Sequence, residues 1–285
     1  MVILLGLTAA VLYGSGDFLG GMATRRAHVL TVLLLADSAG VIVALAAAAM
    51  SPGPVRLAGL IWGVSAGLVG GLGLIIFYIG LATGPMSVVA PVSGLVSTVL
   101  PVAVALAEGE RPGTGVYAGA LLCLVAIVMA SSAGGTGTGT GSAPRSGRGR
   151  AIGYGLVSGA SFGLFFLLIR NAGQSGELWP VAAGRVGELA GVLIAAAVLR
   201  RGLPSRETNG RLLLVAAGAG VIDVVANLCY VAATRTGMFG LAVVLASLYP
   251  GITVLLARVV LGERLRWVQR TGLALAAIGI LLVAA

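Results

Sequence analysis

The chain has 285 residues, of which 58% are hydrophobic and 9% charged, with a mean hydropathy of +1.07. A soluble domain carries about 25% charged residues, so water is excluded as the solvent and the chain is read as dissolved in a lipid bilayer. The net charge of +9 comes from arginine without lysine, scattered and not interleaved with aromatics, which excludes a nucleic-acid surface and points to membrane orientation and lipid headgroups.

Ten apolar runs of spanning length follow one another, at about 2–23, 29–50, 57–81, 86–107, 113–133, 151–171, 178–199, 211–234, 238–260 and 267–285. A span must satisfy its own backbone polar groups within hydrocarbon, so each is expected to be a helix. The gaps carry turn residues, as in Ser51-Pro52-Gly53-Pro54, Arg111-Pro112-Gly113 and Gly202-Leu203-Pro204. Arg25 and Arg26 follow the first run and no basic residue precedes it, which argues against a cleavable signal peptide. In the third run Gly59, Gly63, Gly67 and Gly71 recur every four residues and predict a smooth groove for close helix packing. Pro91 and Pro101 are expected to interrupt the fourth run and Pro250 the ninth. Loops on one face hold most of the arginines, and both termini are expected to share the opposite face.

The tract 134–150, rich in Gly, Thr and Ser and ending in arginines, reads as a flexible linker. It separates a first unit, 1–133, from a second, 151–285. The units repeat one another. Gly109-Glu110-Arg111 returns as Gly262-Glu263-Arg264, and each glutamate is followed nine residues later by a glycine, Gly119 or Gly272. Tyr78 and Tyr230 lie 152 apart, and Asp37 lies over Glu188 at an offset of 151. Such internal repetition is a leading fold signal. Because five spans is an odd number, the second unit enters the membrane from the opposite side. The expected fold is therefore all-α, an integral membrane protein of ten transmembrane helices in two inverted five-helix repeats.

Ionisable groups inside a span are costly and face a cavity or a partner. Asp17 lies deep in the first run, with Tyr13 on the same face. It reads either as a carboxylate lining a substrate cavity and exchanging a proton there, or as an acid paired with a loop arginine such as Arg25. Asp37 and Glu188 are matched acids that could hold a cation or proton. Glu188 also has Arg185 three residues earlier, the spacing of an intrahelical ion pair. Asp223, Asn227 and Tyr230 form a polar stripe on the eighth run, matched on the third by Gly71, Ile75 and Tyr78. The stripe reads as cavity lining or as interhelical hydrogen bonding. Ser93, Ser97 and Ser247 stand near the prolines and could supply hydroxyls to a cavity.

Catalysis fails on inventory. The one histidine, His28, is in a loop beside arginines, so no metal cluster and no serine–histidine pair is expected. Neither a metal nor a cofactor is implied, and the chain is not read as an enzyme.

Ten helices in two units of five, each with a Gly-Glu-Arg turn between its fourth and fifth helices and a glycine nine residues beyond the glutamate, resemble the EamA type of the drug/metabolite transporter superfamily. The aromatic-Gly pairs Tyr13-Gly14 and Phe162-Gly163 add to the likeness. Such proteins are similar to the four-helix small multidrug exporters, whose first-helix carboxylate binds substrate and proton in turn, and Asp17 occupies the matching helix. The second unit has no acid there, and the linker is longer than the family pattern suggests. The expectation is a secondary transporter of the plasma or inner membrane, a monomer or homodimer. It would export a small metabolite or drug-like molecule by alternating access, with protons as the candidate coupling ion and the two units rocking about a central cavity. An importer and a non-transporting scaffold or receptor component are the alternatives. The candidate site residues are Tyr13, Asp17, Asp37, Tyr78, Ser93, Glu188, Asp223, Asn227 and Tyr230.

Overall fold

A computed structural model describes residues 1–24, 26–50, 53–83, 86–109, 111, 113–132, 145–174, 178–198, 210–236, 239–261 and 267–284. Among them every regular element is helical: α1 Val2–Thr24, α2 Val29–Ala49, α3 Leu57–Thr83, α4 Met86–Ala107, α5 Thr114–Ser132, α6 Arg145–Gln174, α7 Trp179–Val198, α8 Gly210–Thr234, α9 Phe239–Ala246, α10 Tyr249–Leu261 and α11 Trp267–Ala284. Among the described residues six helices are long and apolar enough to cross a bilayer, namely α1, α2, α3, α6, α7 and α8. Shorter apolar stretches lie in α4, α5 and the α9–α10 pair. Large apolar side chains stand on the outside, among them Leu4 at 72% and Leu214 at 76% exposure. In water such a surface would drive association; against lipid tails it is the matching face.

Local chemistry explains the helix ends. The His28 imidazole accepts from the Leu30 amide at 3.3 Å and caps α2. After α4, Gly109 adopts a φ of +92°, a left-handed turn that a side chain would strain. The first Gly-Glu-Arg sequence thus begins on a glycine stop; Glu110 and the whole second copy, 262–264, lie outside the described residues.

Two expectations are corrected. Pro91 and Pro101 do not interrupt α4, which runs continuously from Met86 to Ala107. The ninth run does break, at Ser247-Leu248, so that it becomes α9 and α10 with Pro250 in the first turn of α10, where its missing N–H costs nothing. On the α9 side of this break the Ser247 hydroxyl donates to the Val243 carbonyl at 2.7 Å. At the linker, α6 begins at Arg145 and takes in 145–150, which the sequence assigns to the tether; 133–144 lie outside the described residues.

Packing joins the halves more than it joins neighbours. α3 packs chiefly on α6 and α7, and α4 on α6, while α1 packs on α8, α9 and α10, α2 almost equally on α8 and α7, and α5 on α11. Two mixed groups result, one of α1, α2, α8, α9 and α10 and one of α3, α4, α6 and α7, with α2 on α7 as the main seam between them. Glycine permits the closest seams. A Cβ on Gly63 or Gly67 of α3 would run into the Pro180 or Gly184 carbonyl of α7, so here backbone lies on backbone. The same dependence recurs at α1 and α6. A Cβ on Gly14 would meet the Tyr249 carbonyl and Ile252, and one on Gly163 the Ser97 carbonyl and Leu100.

Candidate functional site: a charged and aromatic cavity between the helix groups

Between the two groups lies a partly open cavity of about 70 Å3. One wall comes from the first group: Tyr13 and Asp17 of α1, Asp223 and Asn227 of α8, and Tyr249 of α10. The facing wall comes from the second: Phe162, Phe165 and Phe166 of α6, Arg185 and Glu188 of α7, and Gly70 and Leu74 of α3. Helical spacing does the local work. Tyr13 and Asp17 lie four apart, as do Asp223 and Asn227, so each pair shares a face.

A single network of polar contacts runs across the hollow. The Tyr13 hydroxyl donates to Asn227 Oδ1 at 2.8 Å. Asn227 Nδ2 donates in turn to the Asp223 carbonyl at 2.9 Å and to its carboxylate at 3.2 Å. Asp223 is also ion-paired with Arg185, whose other amino group meets Glu188 at 2.7 Å. The Arg185 and Glu188 side chains are only 5% and 8% exposed. Ions taken this far from water persist because they neutralise one another; removing one would leave the rest uncompensated. The Arg185–Asp223 contact has a further property: it crosses from one helix group to the other.

Two carboxyls stand outside this network. Asp17 faces the cavity and forms no ion pair or side-chain hydrogen bond among the described residues. Asp37 is 2% exposed behind the triad, within electrostatic reach of Glu188, Arg185 and Asp223, and its Oδ2 has no hydrogen-bond partner among the described residues.

Of the sequence candidates, the fold brings Tyr13, Asp17, Glu188, Asp223 and Asn227 together on the cavity, with Asp37 just behind. The other three sit in packing seams. Ser93 is fully buried, its hydroxyl accepting from Ser158 of α6 at 3.1 Å. Tyr78 packs beside Phe77 and fills the space that Gly20 leaves open. Tyr230 lies against the Phe166 ring and donates to the Phe166 carbonyl at 3.4 Å. In the eighth-run stripe, Asp223 and Asn227 line the cavity and also contact α7 and α1, whereas Tyr230 lies off the cavity and bonds to α6. Glu188 is ion-paired with Arg185 and also lies on the cavity wall.

Sequence reasoning missed the aromatic wall. Phe162, Phe165 and Phe166 are three of only six phenylalanines in the chain, and their spacing of three and four was a usable signal. Arg185 was seen only as a partner for Glu188, because its bond to Asp223 joins residues on different helices.

Comparison with known proteins agrees with this architecture. Twenty-seven solved chains match. One of them, described only as "Crystal structure of protein", aligns with a TM-score of 0.75 over 99% of this chain and 95% of its own, at 21% identity. At that identity the likeness carries the fold alone. No curated protein matches the chain. The model of the EamA-like transporter family matches residues 149–285, the second of the two halves. That match makes the second half similar to the EamA-like transporter family of the drug/metabolite transporter superfamily, which suggests a membrane transporter of small molecules.

Proposed function

We propose that the chain is a secondary transporter that moves a small molecule across the cell membrane by alternating access, with export as the working direction. The observation that carries the reading is the cavity itself: a hollow inside an apolar bundle, bounded on opposite sides by different helix groups, with Asp17 facing into it and unpaired among the described residues. A packing scaffold needs no such hollow, and an unpaired acid there would be a pure cost.

The moving bodies are then the two mixed groups and not the two sequence halves. Each half is spread over both groups, and its helices pack mainly on the other half. Rocking of one group against the other would open the cavity to each side in turn. The Arg185–Asp223 pair spans the moving boundary and would have to yield as it opens.

The packing also supports ten spans in two inverted repeats, 1–133 and 151–285. Exchanging α1 with α6, α2 with α7, α3 with α8 and α4 with α9–α10 turns one helix group into the other. At the residue level, Gly14 meets Tyr249 and Ile252 while Gly163 meets Ser97 and Leu100, each partner displaced by 152. The pairing of α5 with α11 suits a supporting role within one chain.

Within the site, Tyr13, Asp17, Glu188, Asp223 and Asn227 would meet substrate, and Tyr78, Ser93 and Tyr230 would position the wall from behind. Asp17, Asp37 and Asp223 are the candidates for a coupled proton. The test is flux of a substrate panel in everted vesicles and proteoliposomes. Uptake into everted vesicles shows export, the opposite polarity shows import, and no flux for any solute returns the chain to a scaffold. If Asn in place of each of the three acids leaves pH-driven flux unchanged, proton coupling through them is wrong.

A further inference from the structure

We propose that Arg185 has two seats on the facing helix group: Asp223, where it sits in this structure, and Asp37, to which it passes when the groups rock. The inference rests on the alternating-access reading and names the ion-pair exchange that lets the boundary move.

Each group holds its part of the exchange rigidly. Asp37 of α2 and Asp223 of α8 belong to one group, and a Cβ on Gly220 of α8 would run into the Ala36 carbonyl of α2. With backbone on backbone there, the two acids keep their spacing when the group moves. Arg185 and Glu188 belong to the other group, where a Cβ on Gly187 of α7 would run into the Val64 carbonyl of α3. One cation on one body therefore faces two acids fixed on the other.

The seats differ in occupancy. One amino group of Arg185 is held on its own helix by Glu188 at 2.7 Å, and the other meets Asp223. Asp37 is 2% exposed, lies within electrostatic reach of Arg185, and its Oδ2 has no hydrogen-bond partner among the described residues. A buried carboxyl left in that condition is a cost that packing does not explain. The arginine already runs beside it. A Cβ on Gly40 would lie 3.4 Å from Arg185 Cδ, and residues 37 and 40 lie about one turn apart on one face of α2. The arginine stem thus crosses the α2–α7 seam on the face that carries Asp37.

The energetics favour a handover. Opening the boundary without a second seat would leave Arg185 and Asp223 each short of a counter-charge, which is what makes a broken buried pair so costly. Passing to Asp37 trades one ion pair for another, and the vacated Asp223 then stands as Asp37 stands now. Glu188 keeps hold of the guanidinium throughout. Two discrete arrangements of similar contacts are what a two-state element needs. The sequence agrees: the offset of 151 that lays Asp37 over Glu188 lays Leu34 over Arg185. Asp37 has no arginine of its own at that spacing and draws on the one across the seam.

The test uses the full-length protein in liposomes, with its native cysteines replaced and spin labels placed in pairs, one label on each group. Leu4 of α1 and Leu57 of α3 report one side of the bundle, Val198 of α7 and Leu214 of α8 the other, and all four are exposed. Asp223→Asn removes the present seat, so the ratio of the two distance populations should move toward the second arrangement by about 10-fold or more, one pair lengthening as the other shortens. Asp37→Asn should fold and keep the present distances. Asp37→Asn combined with Asp223→Asn should lose the shift or fail to fold, while Asp37→Glu combined with Asp223→Asn should keep it. A shift of equal size with and without Asp37, or an Asp223→Asn protein that does not fold, would overturn the exchange and leave alternating access standing. Distances that no variant moves would overturn it too: flux in the solute panel would then keep the transporter, and its absence would remove both readings.

Discussion

α1 and α6 open the two halves of the chain, pack by the same device, and show the cavity opposite chemistry. In each, a glycine following an aromatic residue allows a partner backbone to come close: Tyr249 and Ile252 at Gly14, Ser97 and Leu100 at Gly163. From that shared footing α1 presents Tyr13 and Asp17, whereas α6 presents Phe162, Phe165 and Phe166. The contrast has a steric reason. A packing position is tied to whatever backbone lies opposite, so both helices must leave the same gap. A lining position faces empty space, and nothing steric obliges one half to copy the other. Matched packing with unmatched lining therefore lets α1 bring a carboxyl and a hydroxyl to the hollow where α6 brings rings.

The strongest way to break the comparison is to remove the group that ties the two walls together. Arg185→Ala strands Glu188 and Asp223, and the loss should be about 3–5 kcal/mol, the size seen when one member of a buried ion pair is deleted. The readout is denaturant or thermal unfolding in detergent, and wild-type stability would mean that the triad does not hold the walls.

The packing half of the comparison can be sharpened with one substitution made twice. At Gly14 a new Cβ would lie 2.6 Å from both the Tyr249 carbonyl and the Ile252 Cβ, while at Gly163 the nearest atoms are 3.3 and 3.4 Å away. Gly14→Ala should therefore cost about 1–3 kcal/mol, as overpacking does, and Gly163→Ala well under that. Equal melting temperatures for the two variants would contradict the difference in spacing.

On the polar wall, Tyr13→Phe removes the donor that Asn227 accepts at 2.8 Å. The expected loss is about 0.6–1 kcal/mol, the usual yield of one hydrogen bond between membrane helices. The readout is melting temperature in detergent, and a wild-type value would show that the bond contributes nothing. The smallest effect is expected at the edge. Arg170 meets Glu108 at 2.6 Å, but the Glu108 side chain is 48% exposed. Glu108→Gln should change stability by less than about 1 kcal/mol, and the Arg170 contact with Phe239 should persist. A loss as large as that of Arg185→Ala would show that water does not reach this pair.

How far the sequence could be read follows from the same physics. Asp17, Asp223 and Asn227 were visible as cavity candidates because a polar residue in hydrocarbon needs a reason to be there. Tyr78, Ser93 and Tyr230 met that test equally well, yet they lie in seams, because a hydroxyl can satisfy itself against a neighbouring helix as readily as against a ligand. The phenylalanines of α6 passed unnoticed for the converse reason: an apolar ring looks the same in sequence whether it faces lipid, protein or a hollow.

By itself, the sequence determined the solvent and the helices, and it raised the expectation of a duplication. Runs of spanning length, few charges and paired Gly-Glu-Arg sequences are local properties that survive without knowing any partner. Only the tertiary structure decided which helices meet, that each half is divided between two groups, and that Arg185 reaches Asp223 across the boundary between them. In water the inward face of a helix is marked by hydrophobicity; in lipid both faces are apolar, so the pattern carries no direction, and the choice of neighbours falls to where backbones can touch at glycine and where the few buried charges find one another.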